Sequence, residues 1–531
     1  MYPEPNINDS YGKLALLVPL LWILYFIGLT IYRVTLHPLA KFPGPTLAGA
    51  TYLYEAWFDV VLWGRYTHQI GHLHQEYGPI IRINPDELHC NDHLFANSIY
   101  TTGSRRRDKS SHYVHSFPPR YVDYGLTIQA TVSHDLHRIR RRAMNKFFSR
   151  AQICELESTI QSSALKLCRK ILSCEGQGAL NLASAYSCFT ADLISDYSFG
   201  QSFGFLDQPG WEPNYKRSVD ILLGLGHVLR LLPILGSLME MVPLSLMQLL
   251  SRDIGKVVFP HQIELARESS KPGAKLGAAR STIFTSLLED STLPREEKTT
   301  ARLASEANSI MVGGTESTAV TLSLFTYHVL ANPDVLDRIR AEIDTVTADD
   351  QGRLPGHKLE QLPYFTAAIQ EALRLVHGIS GRAARIAPDE DLVYIKSSHS
   401  PVRSCYHRNE FVIPRGYAVG MSAYLLHTDK DIFPEPHQFR PQRWLDKNGK
   451  RDRSLDKYLF TFGKGDRQCV GMQLAYWELY ICAAALIVRV FPRLSLSGTS
   501  VRDVQYDHDE LIGKPYVGSK GVRVLVSNKE N

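Results

Sequence analysis

Ten residues near the C-terminal end, Phe462-Gly-Lys-Gly465-Asp-Arg467-Gln-Cys469-Val-Gly471, constrain this 531-residue chain more than any other segment. They run directly into an apolar stretch with helical periodicity, 472–488. A cysteine on a glycine-rich loop at the start of a helix has its sulfur near free backbone N–H groups and the positive end of the helix dipole. That setting favours thiolate over thiol. Gly465 and Gly471 allow close backbone approach or positive φ. Arg467 can reach an anionic group on whatever the thiolate ligates. The chain therefore has to build a pocket with a ligating sulfur on one wall.

Three further patterns precede the loop. Glu371-Ala-Leu-Arg374 lies on a helical stretch, where i, i+3 spacing puts carboxylate and guanidinium on one face. Gly313-Gly314-Thr315-Glu316-Ser317-Thr318 interrupts a long helical pattern over 303–330. Two adjacent glycines inside a helix cost about 1 kcal/mol each relative to Ala, which points to a kink or to close approach of a flat ligand. His137-Arg138-Ile-Arg140-Arg141-Arg142 is a basic run on another helix, and Arg382-Ala-Ala-Arg385 follows the Glu371 helix.

Together these residues resemble the cytochrome P450 family, whose haem-binding loop reads F-x-x-G-x-R-x-C-x-G. The resemblance runs from the N-terminal apolar segment to the C-terminal strands and is similar to the trichodiene-oxygenase-like enzymes of fungal secondary metabolism. It implies a mainly α fold with small β-sheets and haem b as cofactor, with Cys469 as the iron's axial ligand and Phe462, Gly465, Arg467 and Gly471 shaping the loop. Glu371, Arg374 and Arg443 would form a buried structural triad. Glu316, Ser317 and Thr318 would supply the distal acid and alcohol, with Ser317 where the family usually has Thr. His137, Arg141, Arg385 and Arg467 would face the two haem propionates, while Arg138, Arg140, Arg142 and Lys464 would add positive charge on the proximal side.

The implied activity is monooxygenation of an apolar metabolite, terpenoid rather than polyketide or fatty acid. Electrons would come from NADPH through cytochrome P450 reductase, with cytochrome b5 as a further partner. A haem-thiolate isomerase or dehydratase, a haem sensor or electron carrier, and a decayed non-catalytic haem protein remain open alternatives.

Composition narrows the rest. Lys plus Arg total 59 against 54 Asp plus Glu, too even for a nucleic-acid binder. Eight cysteines with no C-x-x-C pair exclude a disulfide scaffold and a ribbon-type zinc site, and point to reduced thiols. Residues 14–32 carry no charge and are long enough to cross a bilayer. The flanking charges place the N-terminus in the lumen and the remainder on the cytosolic side of the endoplasmic reticulum membrane. The expected organisation is a lumenal 1–13, an anchor at 14–32, a proline-rich spacer at 33–45 and one catalytic domain at 46–531. Residues 395–409 form a polar insertion between two short strands, either a true insertion or a gene-model artefact.

Overall fold

The computed structural model describes residues 7–116, 123–212, 214–242, 260–269, 282–396 and 410–528. Helices dominate. The ones that position the site are α1 (Ile7–Thr35), α2 (His134–Asn145), α3 (Leu182–Phe199), α4 (Lys216–Leu231), α5 (Thr300–Leu330), α6 (Pro363–Val376) and α7 (Met472–Arg489). Helix α5 runs through the core and packs against α3, α6 and α7. It is unbroken across Gly313 and Gly314, so the expected interruption does not occur.

Local chemistry sets the helix limits. Ser133 and Thr299 cap α2 and α5 through their hydroxyls, and Asn181 caps α3 through its amide oxygen. Pro363 occupies the first turn of α6, which separates it from the short helix Gly356–Leu359 where the sequence pattern reads as continuous. Arg150–Glu155 and Glu157–Leu172 are likewise separate helices, divided at Leu156.

The sheets are small, as expected. Strands β1 (Ile80–Asn84), β2 (Glu87–Cys90), β3 (Asp108–Lys109), β4 (Arg385–Ile386), β5 (Leu392–Ile395), β6 (Glu410–Ile413) and β7 (Ala418–Gly420) form two sheets. The larger has the order β1-β2-β7-β4-β3, and β5 pairs with β6. Ile395 still pairs with Glu410, so the hairpin closes on both sides of the insertion, most of which lies outside the described residues. A further hairpin, β8 (His508–Glu510) with β9 (Ile512–Lys514), lies against α4.

Within α1, Leu16–Thr35 has a mean hydropathy of 1.8 and is unburied, and it is long and apolar enough to cross a membrane. The segment after it is not a free spacer. Leu39 and Phe42 are buried, the Arg82 amide donates to Pro43 O at 2.7 Å, and Arg82 Nη1 donates to Arg33 O at 2.8 Å. Gly44 has φ +147°, and a Cβ there would meet Arg82 O at 2.5 Å. The proline-rich segment is thus docked on β1.

Glu371 is fully buried and accepts five hydrogen bonds. Arg374 gives two at 2.9 and 2.8 Å, Arg443 Nε one at 3.0 Å, Trp444 Nε1 one at 2.9 Å and the Arg440 amide one at 2.9 Å. Arg374 also donates to His427 O and Pro436 O. His427 Nδ1 donates to Arg374 O, and its Nε2 accepts from the Phe460 amide at 2.8 Å. Thr461 Oγ1 donates to Leu373 O on α6. The triad thereby fixes the start of the Cys469 loop.

Burial opposes ionisation of Glu371, but its bonds and charge pairing with Arg374, then Arg443, outweigh burial and hold it below the ordinary 4.5. The contribution to stability is complete above pH 4.5 and is lost as pH falls through the lowered value. Glu371→Gln leaves two buried guanidinium groups without their carboxylate. It is expected to cost about 3–5 kcal/mol in urea unfolding at pH 7, and the difference from wild type should shrink on acidification.

Candidate active site

The side of α5 that borders the site is defined by two positions. Along the buried middle of this helix only Gly313 and Ser317 are exposed, one turn apart on one face. A Cβ on Gly313 would meet no protein atom within 4 Å. The same holds for Gly471, at the start of α7. Ile379 is half-exposed just beyond α6, and Cys469 is accessible. Open positions on α5, at the start of α7 and on the cysteine loop are what a hollow between these elements would leave, and that inferred hollow is the candidate site.

The cysteine loop is built as its sequence requires at Gly465. That residue has φ +72°, and a Cβ would lie 2.5 Å from Thr101 O. The Asp466 amide donates to Thr101 O, and the Cys469 amide to Phe462 O at 2.8 Å. Gly471 is different. Its φ is −82° and no protein atom crowds it, so protein packing does not explain glycine there. A side chain at this position would project into the hollow.

The thiol also departs from expectation. A backbone N–H bond from Gly471 and the charge of Arg141 favour thiolate, but although the cysteine is accessible it lies deep among protein atoms, and that desolvation is the larger cause and raises the thiol from 9.0. Coordination to a metal removes such a proton outright.

Beside the loop lie Lys109, Arg141, Arg385, Arg467 and His137. Arg141 donates to Gln468 O and Asn145 Oδ1. Arg467 donates to Thr131 O and Val132 O, and its buried Nε has no partner. Arg385 donates to Ala383 O and Ala384 O and lies over the Tyr100 ring. Lys109 donates to Gln129 O. Among the described residues none of these four cations forms an ion pair with a carboxylate.

The electrostatics register the crowding. Burial, then Arg467, Arg141 and Arg385, push His137 down to about 3. Burial, then Arg385, push Arg467 down to about 9, and Lys109 is driven well below its ordinary value by burial, Arg385 and Arg467. Four clustered cations, Arg385 buried and the others half-buried, and a neutral imidazole, beside a cysteine, fit a group with two carboxylates, as haem has.

The distal residues separate. Ser317 Oγ donates to Gly313 O at 2.6 Å and faces the hollow. Glu316 is buried, 3.6 Å from Lys216 Nζ on α4, and neither of its oxygens accepts a hydrogen bond. Burial raises its carboxyl above 4.5 against the pull of Lys216. Thr318 does not join the expected catalytic set. It lies roughly 140° around α5 from Gly313 and is buried beside Glu478 of α7. Arg140 is not part of a proximal surface either, because it is buried in a bidentate pair with Glu297 at 2.7 and 2.9 Å. Arg382 is committed to Glu55 and Asp59, which leaves Arg385 as the guanidinium of that segment in the cationic cluster. Sequence reasoning missed Lys109 and Lys216, neither of which carries a motif.

The fold and the cysteine-bearing hollow define a haem-thiolate class of protein. The cytochrome P450 family model matches residues 45–515, and the chain belongs to that family. It is 41% identical over 457 residues to the cytochrome P450 monooxygenase ppzE of Metarhizium majus, covering 84% of this chain and 94% of that protein. It is 37% identical over 534 residues to the tryptophan 6-hydroxylase fscE of Fusarium equiseti, covering 98% and 100%. It is 31% identical over 513 residues to the cytochrome P450 monooxygenase TRI4 of Fusarium sporotrichioides, covering 95% and 94%. This is a cytochrome P450 monooxygenase of the fungal secondary-metabolism type.

The adjacent glycines of α5 serve different ends. A Cβ on Gly314 would lie 2.8 Å from Ile194 Cγ1 on α3, whereas Gly313 faces open space. Gly313→Ala is therefore expected to leave thermal stability unchanged or raise it by up to about 1 kcal/mol through helix propensity. Gly314→Ala is expected to lower stability by about 1–3 kcal/mol through overpacking. Thermal unfolding of the two variants side by side checks the contrast.

Proposed function

We propose that this protein hydroxylates or epoxidises an apolar secondary metabolite, a terpenoid in the first instance, using O2 and electrons from NADPH delivered by cytochrome P450 reductase, with cytochrome b5 as an auxiliary donor. The observation that carries the reading is the group of four cations beside Cys469 that, among the described residues, form no ion pair with a carboxylate. When bound, haem supplies oxygen activation and insertion at an unreactive carbon.

The chain's own residues divide the remaining work. Cys469 would ligate the haem iron, and Lys109, Arg141, Arg385, Arg467 and His137 would hold its two propionates. Phe462, Gly465 and Gly471 would leave the loop room to approach the group. Ser317 holds its proton on Gly313 O and can turn it toward a group in the hollow. Glu316 lies one residue away, its carboxyl raised by burial, and serves as the proton reservoir behind Ser317. Ile379, Leu511 and Ile512, partly accessible at the hairpin that bridges Ile379 to Ile512, supply apolar wall.

Residues 1–13 are lumenal, 14–32 anchor the protein in the endoplasmic reticulum membrane, 33–45 form a docked neck, and 46–531 are the catalytic domain facing the cytosol. The relative named as a tryptophan 6-hydroxylase supports a second reading, hydroxylation of an aromatic amino acid or its derivative. Retention of Ser317 and Glu316 favours monooxygenation over isomerisation or dehydration.

The test is product analysis with terpene and indole panels, with and without the reductase and NADPH. Oxygenated product that requires the reductase supports the reading, and reductase-independent conversion identifies an isomerase or dehydratase. Ser317→Ala is expected to lower product formed per NADPH by about tenfold or more while substrate affinity stays unchanged, measured by product, NADPH and peroxide together.

A further inference from the structure

Two elements that the family motifs do not mention meet at the N-terminal end of α5. Arg140, Glu297, Arg302 and Glu306 form a buried chain of alternating charge. Arg140 pairs with both oxygens of Glu297, Arg302 Nε donates to Glu297 at 2.9 Å, and Arg302 Nη1 lies 2.7 Å from Glu306 Oε2. The chain ends on main chain, since the Ile128 amide donates to the same Glu306 oxygen at 3.0 Å.

Glu306 has a telling position on its helix. At about 100° per residue, positions 306, 313 and 317 fall within roughly 20–40° of one another around the axis. Glu306 is thus on the face that carries Gly313 and Ser317, about 10 Å along the axis from Gly313. The segment it grips, 124–132, is held at its other end by Arg467 on Thr131 O and Val132 O, and by Lys109 on Gln129 O. Arg140 Nη1 adds a bond to Thr131 Oγ1 at 2.8 Å. One short segment therefore links the cationic cluster to the face of α5 that carries Glu306, Gly313 and Ser317.

We propose that Glu306 is a positioning residue that sets the shape of the hollow by fixing the Ile128 main chain, so that bulky ligands are discriminated by this segment. The inference rests on the reading of the hollow as the haem and substrate site. The reach of its carboxylate to Ile128, rather than its charge on Arg302, is the operative feature. Glu306→Gln keeps an oxygen at the same reach and removes the charge. Glu306→Asp keeps the charge and withdraws it by one methylene.

The experiment uses the haem-loaded full chain and two readouts, amide hydrogen exchange at Ile128 and the ratio of spectral affinities for imidazole and 4-phenylimidazole. In Glu306→Asp, Ile128 is expected to exchange roughly 10- to 100-fold faster, as for loss of one charge-assisted hydrogen bond, and the azole ratio to shift about tenfold. In Glu306→Gln both readouts are expected within about threefold of wild type, as a retained acceptor implies. The reverse pattern overturns the proposal in favour of the Arg302 ion pair. Wild-type behaviour in both variants, or equal loss in both, also overturns it, as does a loss of Ile128 protection in Glu306→Asp without any shift in the azole ratio. Absence of an azole spectral shift in the wild type removes the reading of the hollow itself, and the inference with it, whatever the exchange data give.

Discussion

A single buried carboxylate, Glu371, organises the approach to the active site. Removing a carboxylate from water costs several kcal/mol, and only dense, well-directed donation offsets it. Glu371 receives that from Arg374, Arg443, Trp444 and the Arg440 amide, which come from a helix, a 3-10 turn and the chain just before it. The same Arg374 grips His427 O, and His427 grips the Phe460 amide. The start of the Cys469 loop is therefore set by a charge placed on α6, and its middle by Gly465 and Asp466 against Thr101 and by Arg467 on Thr131 and Val132. Burial, then the charge of Arg374, push His427 down to about 3, so its imidazole stays neutral and its Nε2 remains an acceptor for that amide.

Several other buried charges are balanced within the protein. Glu55 and Asp59 take Arg230 and Arg382, Asp220 takes Lys216 and Lys514, and Glu297 takes Arg140 and Arg302. These networks pin α4 to the core and to the β8–β9 hairpin, and α2 to the start of α5. The group around Cys469 breaks the pattern. Lys109, Arg141, Arg385 and Arg467 spend their hydrogen bonds on main-chain carbonyls and one amide, with no carboxylate in an ion pair among the described residues. Four like charges gathered beside one loop, with no ion pair among the described residues, fit an anion supplied from outside the chain.

Much of this was legible in the sequence because local spacing carried it. The cysteine loop before an apolar helix, and the i, i+3 pair of Glu371 and Arg374, are short-range patterns that survive folding unchanged. The long central helix and the small strands followed from periodicity. What was not legible depends on which side of a helix meets which neighbour. Thr318 is next to Ser317 in sequence yet turns to α7, and Arg140 sits in a basic run yet is buried against Glu297. Gly313 and Gly314 look equivalent, but one faces open space and the other meets Ile194. Lys109, on a two-residue strand, enters the cluster only because β3 pairs with β4, which carries Arg385. The thiol of Cys469 is governed by burial, which a linear reading of glycines and helix dipole does not weigh. The neck at 37–45 reads as a stiff linker from its prolines, and only the contacts of Arg82 reveal that it is docked.

The central claim is that Cys469 ligates a haem held by this cationic cluster. Its most direct test is the carbon monoxide difference spectrum of the dithionite-reduced, full-length protein beside Cys469→His. The account predicts a Soret band at the thiolate position in the wild type and its loss, or a move to the imidazole position, in the variant. A wild-type band of the imidazole type, or a thiolate-type band that persists in Cys469→His, would contradict it.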